Sequence, residues 1–97
     1  MKTEIKSIAD LKDKIVELEI PVEEITEERC GVKWDSDANR FTDMGLDELD
    51  VISVVIEIEE KFGLNVWDYV VEEMFDTKPD DLVAGRRRND RLHEIGI

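Results

Sequence analysis

The chain has little of what small proteins use to build covalent or metal chemistry. Cys30 is the single cysteine and His93 the single histidine. One cysteine excludes an intramolecular disulfide and any multi-cysteine metal site, and no acidic or asparagine partner stands at a spacing that would make the two residues a nucleophile pair. Glycine-rich phosphate cradles, HExxH and GxSxG are all missing, so nothing offers an activated group and the chain is not expected to be an enzyme. Basic residues are scarce: 13 Lys and Arg stand against 26 Asp and Glu, a formal charge of −13. A phosphate backbone demands a basic footprint, so nucleic acid is excluded and basic protein surfaces are the natural partners. No apolar run is long enough to span a bilayer, so no membrane insertion is expected. The start, MKTEIKSIADLKDKIVELEI, lacks the apolar stretch of a secretory signal and mixes in too many acids for a transit peptide.

What is present suffices for one folded unit. With 97 residues, 41% of them apolar, the acidic charge clothes a core rather than a disordered tail. Ser7 is a good N-cap for a first helix in which Ile8, Leu11, Ile15 and Leu18 recur at helical spacing until Pro21. From Pro21 to Asp47 the periodicity weakens. A long loop is expected there, with Ile25 and Trp34 as isolated apolar anchors and Gly31, Asn39 and Gly45 as turn signals.

The strongest helix signal is DELDVISVVIEIEEKFG. Asp50, Ser53, Glu57, Glu60 and Lys61 form one polar stripe, while Leu49, Val51, Ile52, Val54, Val55, Ile56, Ile58 and Phe62 cover the rest, which predicts a core helix with one wet face ending at Gly63. A short third helix is predicted over 66–75, with Val66, Val70 and Met74 recurring every four residues and Trp67, Val71 and Phe75 alongside. A fourth starts at Pro79 after a possible N-cap at Thr77, its extent left open by Gly85. The expected fold is all-α, a small four-helix bundle with a long loop between helices I and II. The domain covers 1–85, and 86–97 is a basic C-terminal extension or the end of helix IV. In that segment Arg86, Arg87, Arg88 and Arg91 oppose only Asp90 and Glu94, and complementing a helix end or the acids of the body is the plainer role for them.

DSDANRFTDMGL invites a test as a calcium loop, because Asp35, Asp37 and Asn39 fall at the first, third and fifth positions of an EF-hand. Arg40 stands where the turn glycine belongs and Leu46 where the bidentate glutamate belongs, so an acidic solvated loop is expected and no metal.

The turn before helix II carries a resemblance. In DMGLDELD, residues Asp43, Gly45, Asp47, Leu49 and Asp50 stand in the register of the D-x-G-x-D-S-L-D motif that opens helix II in the acyl carrier protein family. VISVVIEIEEKFGLNV resembles the rest of that helix and its exit, including the paired acids Glu59 and Glu60. The similarity spans roughly residues 5 to 85 and is strongest over 43–66. It implies a carrier-type helical fold and a partner-docking face on helix II made by Asp47, Asp50, Glu59 and Glu60, with Glu57 in the same acidic region.

At one position the chain departs from the family. The serine esterified to 4′-phosphopantetheine aligns with Glu48, and neither Ser53 nor Ser36 lies in a motif a transferase would read. Trp67 stands where helix III usually opens with proline. The resemblance therefore implies the fold and the docking face, here Asp47, Glu48, Asp50, Glu57, Glu59 and Glu60, without a bound cofactor. Glu48 suits the positive end of the helix dipole and could also present negative charge where a prosthetic phosphate would sit.

The expectation is a non-catalytic adaptor or accessory structural subunit of a larger complex, for example mitochondrial respiratory complex I, with LYR-type helical proteins among the partners. The alternative is an acyl carrier protein in fatty-acid or polyketide synthesis. The location implied is the mitochondrial matrix side or a bacterial cytoplasm, the choice between them open.

Overall fold

The computed structural model describes residues 2 to 85, which form helices around one apolar core and one short pair of strands. The chain opens with β1 (Thr3–Ile5), followed by α1 (Ile8–Glu17), in which the Ser7 hydroxyl accepts from the Asp10 N–H at 3.1 Å and Leu11 and Ile15 are buried. No helix among these residues is long and apolar enough to cross a membrane.

The expected loop after Pro21 contains a helix, α2 (Val22–Cys30), and a 3₁₀ turn over Phe41–Met44. Val22, Ile25 and Thr26 are buried, and Ile25 is a core residue rather than an isolated anchor. The Thr26 hydroxyl is satisfied in the core by donating to the Val22 carbonyl at 2.8 Å. Periodicity failed here because the buried stripe is one residue short of apolar and the remaining positions are mostly acids. Trp34 lies against the core with its ring edge-on to Phe41, the centroids 6.0 Å apart.

The motif before the long helix is largely a folding device. Asp43 accepts from the Arg40 N–H at 3.2 Å. Gly45 takes φ of 93°, the left-handed region where a side chain is strained, and Leu46 then drops into the core. Asp47 and Asp50 cap α3 (Glu48–Phe62) reciprocally: the Asp47 carboxylate accepts from the Asp50 N–H at 2.9 Å, and the Asp50 carboxylate accepts from the Asp47 N–H at 3.1 Å. Val51, Val54, Val55 and Ile58 are its buried face. Leu49 and Ile56, expected in the core, are 72% and 42% exposed, while Glu57 turns inward.

After Gly63 comes β2 (Leu64–Val66), which pairs in parallel with β1, Glu4 opposite Asn65. Val66 therefore belongs to a strand, and α4 spans Asp68–Asp76 with Trp67 at its N-cap position and Val70 and Met74 buried. A two-residue alternation with both apolar positions buried explains why 64–66 is extended, but three residues are too few to read in sequence. A fifth helix, α5, runs over 79–85 with Leu82 and Val83 in the core. Gly85 passes close to α1: a Cβ there would lie 3.0 Å from the Val16 Cγ2. The basic segment 86–97 lies outside the described residues.

Candidate functional site

Of the six acids of the expected docking face, Asp47 caps α3 and the other five lie around three sides of it. At 100° per residue, Asp50 and Glu57 fall on one flank, Glu48 and Glu59 on the other, and Glu60 on the solvent crest between them. On the first flank α3 meets α2. The Glu57 side chain is only 17% exposed, with Oε1 3.7 Å from the Arg29 guanidinium and Oε2 3.8 Å from the Lys61 ammonium. Among the described residues its Oε2 accepts no hydrogen bond, so the cations there hold it by charge alone. Next to it the Cys30 thiol donates to the Asp50 carbonyl, Sγ to O 3.7 Å. Burial pushes the Cys30 thiol above its ordinary pKa, and the charge of Asp50 adds to this while Arg29 opposes it.

On the other flank α3 faces α4 across an open groove of about 400 Å³. Its floor is Ile52, Val55, Ile56, Val66 and Val71, and its rim is four carboxylates, Glu48, Glu59, Asp68 and Glu72. Among the described residues no lysine or arginine lines it. Glu48 and Glu59 are eleven residues apart, so the groove follows α3 for roughly 16 Å. Glu48, the first residue of α3, is exposed and makes no hydrogen bond or ion pair with the described residues. Glu59 is half-buried and committed, accepting from the Val66 N–H at 2.8 Å.

The structure thus brings Glu48 and Glu59 to one groove, leaves Glu60 on the crest, and turns Glu57 and Asp50 toward α2. Sequence reasoning missed Asp68 and Glu72 on the rim, and Leu49 and Ile56 on the crest beside Glu60. The signal for the last two was in the sequence: residues seven apart lie within about 20° of each other, opposite the arc of Val51, Val54, Val55 and Ile58. Ser53 is half-exposed on α3 and Ser36 is exposed in the 31–40 connection. In that connection Asp35 closes its own turn, accepting from the Asp37 N–H at 2.9 Å, and among the described residues no three His, Cys, Asp or Glu side chains gather as a metal site requires.

Compared with known proteins, the chain is similar to the acyl carrier protein of Campylobacter hominis, 35% identical over 60 residues that cover 62% of this chain and 73% of that relative. No family model matches the chain, and no solved structure matches it. The helical fold, the capped turn into α3 and this relative define an acyl-carrier-like protein, and the chain belongs to the acyl carrier protein family.

The family's prosthetic group is carried as a phosphoester of a serine hydroxyl. Glu48 offers a carboxylate and no hydroxyl at that position, and joining it to phosphate would make a labile mixed anhydride. Glu48 itself cannot hold the group as a phosphoester.

Proposed function

We propose that the chain is a non-catalytic adaptor of the acyl carrier type, an accessory subunit that binds other proteins through α3 and carries no prosthetic group. The observation that carries this reading is Glu48, an exposed carboxylate free of intrachain partners among the described residues, at the residue where the family's chemistry begins. Around it Asp47, Glu59, Glu60, Asp68 and Glu72 keep that side of the helix acidic, with Leu49 and Ile56 exposed between the charges. Such a surface steers and orients a basic helical partner, and the exposed aliphatic side chains supply the short-range contact. LYR-type proteins or neighbouring subunits of a respiratory complex have the right chemistry. Asp50 and Glu57 contribute field from the far flank rather than direct contacts, being engaged with the capping turn and with Arg29 and Lys61.

Incubation with a 4′-phosphopantetheinyl transferase and coenzyme A, followed by intact mass, tests the reading. The expected result is an unmodified chain, with the Glu48→Ser variant gaining one phosphopantetheine under the same conditions. Addition to the unaltered chain, at Ser53 or Ser36, would overturn the adaptor and establish a carrier in fatty-acid or polyketide synthesis. A native pull-down then tests the partner: stable stoichiometric association, weakened by salt, is expected.

A further inference from the structure

The connection from α3 to α4 is gripped from both sides, and one of the grips comes from the other end of the sequence. On one side, residues 3 to 6 hold it through the backbone: the Thr3 N–H donates to the Gly63 carbonyl at 2.9 Å and the Trp67 N–H donates to the Ile5 carbonyl at 3.1 Å. Side chains reinforce the pairing. A single Glu4 oxygen, Oε2, accepts from the Asn65 amide at 2.7 Å and from the Trp67 indole N–H at 2.8 Å. The Lys6 ammonium stands 5.4 Å from the centre of the Trp67 ring, and the Tyr69 hydroxyl donates to the Lys6 carbonyl. Trp67 and Tyr69 meet edge to face at 5.9 Å. On the other side, the Val66 N–H is taken by Glu59 of α3.

These ties converge on the segment that sets the groove. Only residues 63 to 67 join the end of α3 to the start of α4, and Val66 and Asp68, at that junction, line the groove. Val70 and Met74 seat the body of α4 in the core, so what fixes 64–67 sets chiefly how far its first turn stands from α3. Three-residue strands are too short to be stable alone: Ile5, Leu64 and Val66 hold the inner side of the pair by burial, while Glu4, Lys6, Asn65, Trp67 and Tyr69 are all exposed, so its outer side depends on these side-chain ties. We propose that β1 is a strap that sets the width of the α3–α4 groove, with Glu4 as its clasp. Access to the groove is then governed from residues 3 to 6, and an interaction that lifts this segment from β2 opens it. This inference is independent of the adaptor function: the strap acts on the groove whatever occupies it.

Amide hydrogen exchange, read residue by residue, and the emission of Nile red, a neutral apolar dye, test it in the unaltered chain, Glu4→Ala, Glu4→Gln and Tyr69→Phe. Glu4 is exposed, so its replacement leaves the Ile5 core contact in place. Glu4→Ala is expected to raise exchange about tenfold at Val66, Trp67 and the first turn of α4 and to increase dye binding, with Val54, Val55 and Ile58 of α3 unchanged. Glu4→Gln, whose amide oxygen can still accept both donors, restores the protected groove, and Tyr69→Phe gives a smaller effect in the same direction. Unchanged exchange in α4, or a rise shared equally by α3, would overturn the proposal, the second because it marks loss of global stability rather than release of a strap. If Glu4→Ala does not fold, Tyr69→Phe decides on the same readouts.

Discussion

The two flanks of α3 are built from the same few residue types and do opposite things. Toward α2 the Asp50 carbonyl meets the Cys30 thiol, and the acid the helix turns inward, Glu57, is held between Arg29 and Lys61. Toward α4 it presents Ile52, Ile56, Glu48 and Glu59 to an open groove whose other wall adds Asp68 and Glu72 and, among the described residues, no cation. An acid with cations beside it is a packing element, because its charge is answered within the chain and cannot be moved without cost. Acids without them are each worth little to stability, yet their summed field is directed outward, where a partner can use it. On the proposed function, one helix thus separates the work of holding the fold from the work of meeting a partner.

The largest test of that separation compares two isoleucines. Ile25 of α2 is 2% exposed and packs in the core, so Ile25→Ala is expected to cost about 2 to 5 kcal/mol in urea unfolding. Ile56 on the other flank is 42% exposed, and Ile56→Ala is expected to cost less than about 1 kcal/mol. Equal losses at the two positions would break the comparison.

How much of this could be read from the residues follows the same division. Elements with a dense apolar stripe were legible: α1 from Leu11 and Ile15, α3 from its buried valines, α4 from Val70 and Met74. The turn into α3 was legible through its match to the family motif, and the structure shows the local duties of Asp43, Gly45, Leu46, Asp47 and Asp50 there, while Glu48 and Leu49 face solvent. Three features were not. The stripe of α2 uses a threonine, whose hydroxyl is satisfied only once the helix exists. The pairing of β1 with β2 joins residues sixty positions apart, and local pattern holds no trace of it. The division of the acids between flanks depends on which neighbour lies on which side, so Glu57 and Glu60 look equivalent in sequence and differ once α2 is in place.

At intermediate size, the caps and charges of the first turn of α3 sharpen the comparison. Asp47→Ala removes the acceptor of the Asp50 N–H and one half of a reciprocal pair, and about 1 kcal/mol of stability should be lost. Glu48→Gln, one residue on, gives up only a favourable charge at the positive end of the helix, and a loss of roughly 0.3 to 1 kcal/mol is expected, vanishing at high salt. The order reverses for partner binding: Glu48→Gln should weaken it and Asp47→Ala affect it mainly through stability. Denaturation midpoints beside equilibrium binding to the isolated partner check both, and a Glu48 variant with unchanged affinity would leave that residue with its dipole role alone.

The smallest effect is at Cys30, where the α2 flank can be probed without disturbing it. The thiol is half-buried at the end of α2, and its pKa lies above the ordinary value first because of burial and then because of Asp50. At a given pH the folded chain therefore holds less thiolate than an open chain, and iodoacetamide should alkylate Cys30 more slowly in the folded protein than in urea, with a midpoint displaced to higher pH. A group that binds its proton more tightly when folded contributes stability that is fully present below the unfolded pKa and lost as pH rises through the folded one, so this contribution of the α2 flank is lost in alkaline solution. Because Arg29 opposes the shift, Arg29→Ala should slow alkylation further, whereas Asp50→Asn should speed it. An Asp50→Asn protein that reacts no faster would mean that burial alone controls the thiol, and that the electrostatic balance across this flank ends at Glu57.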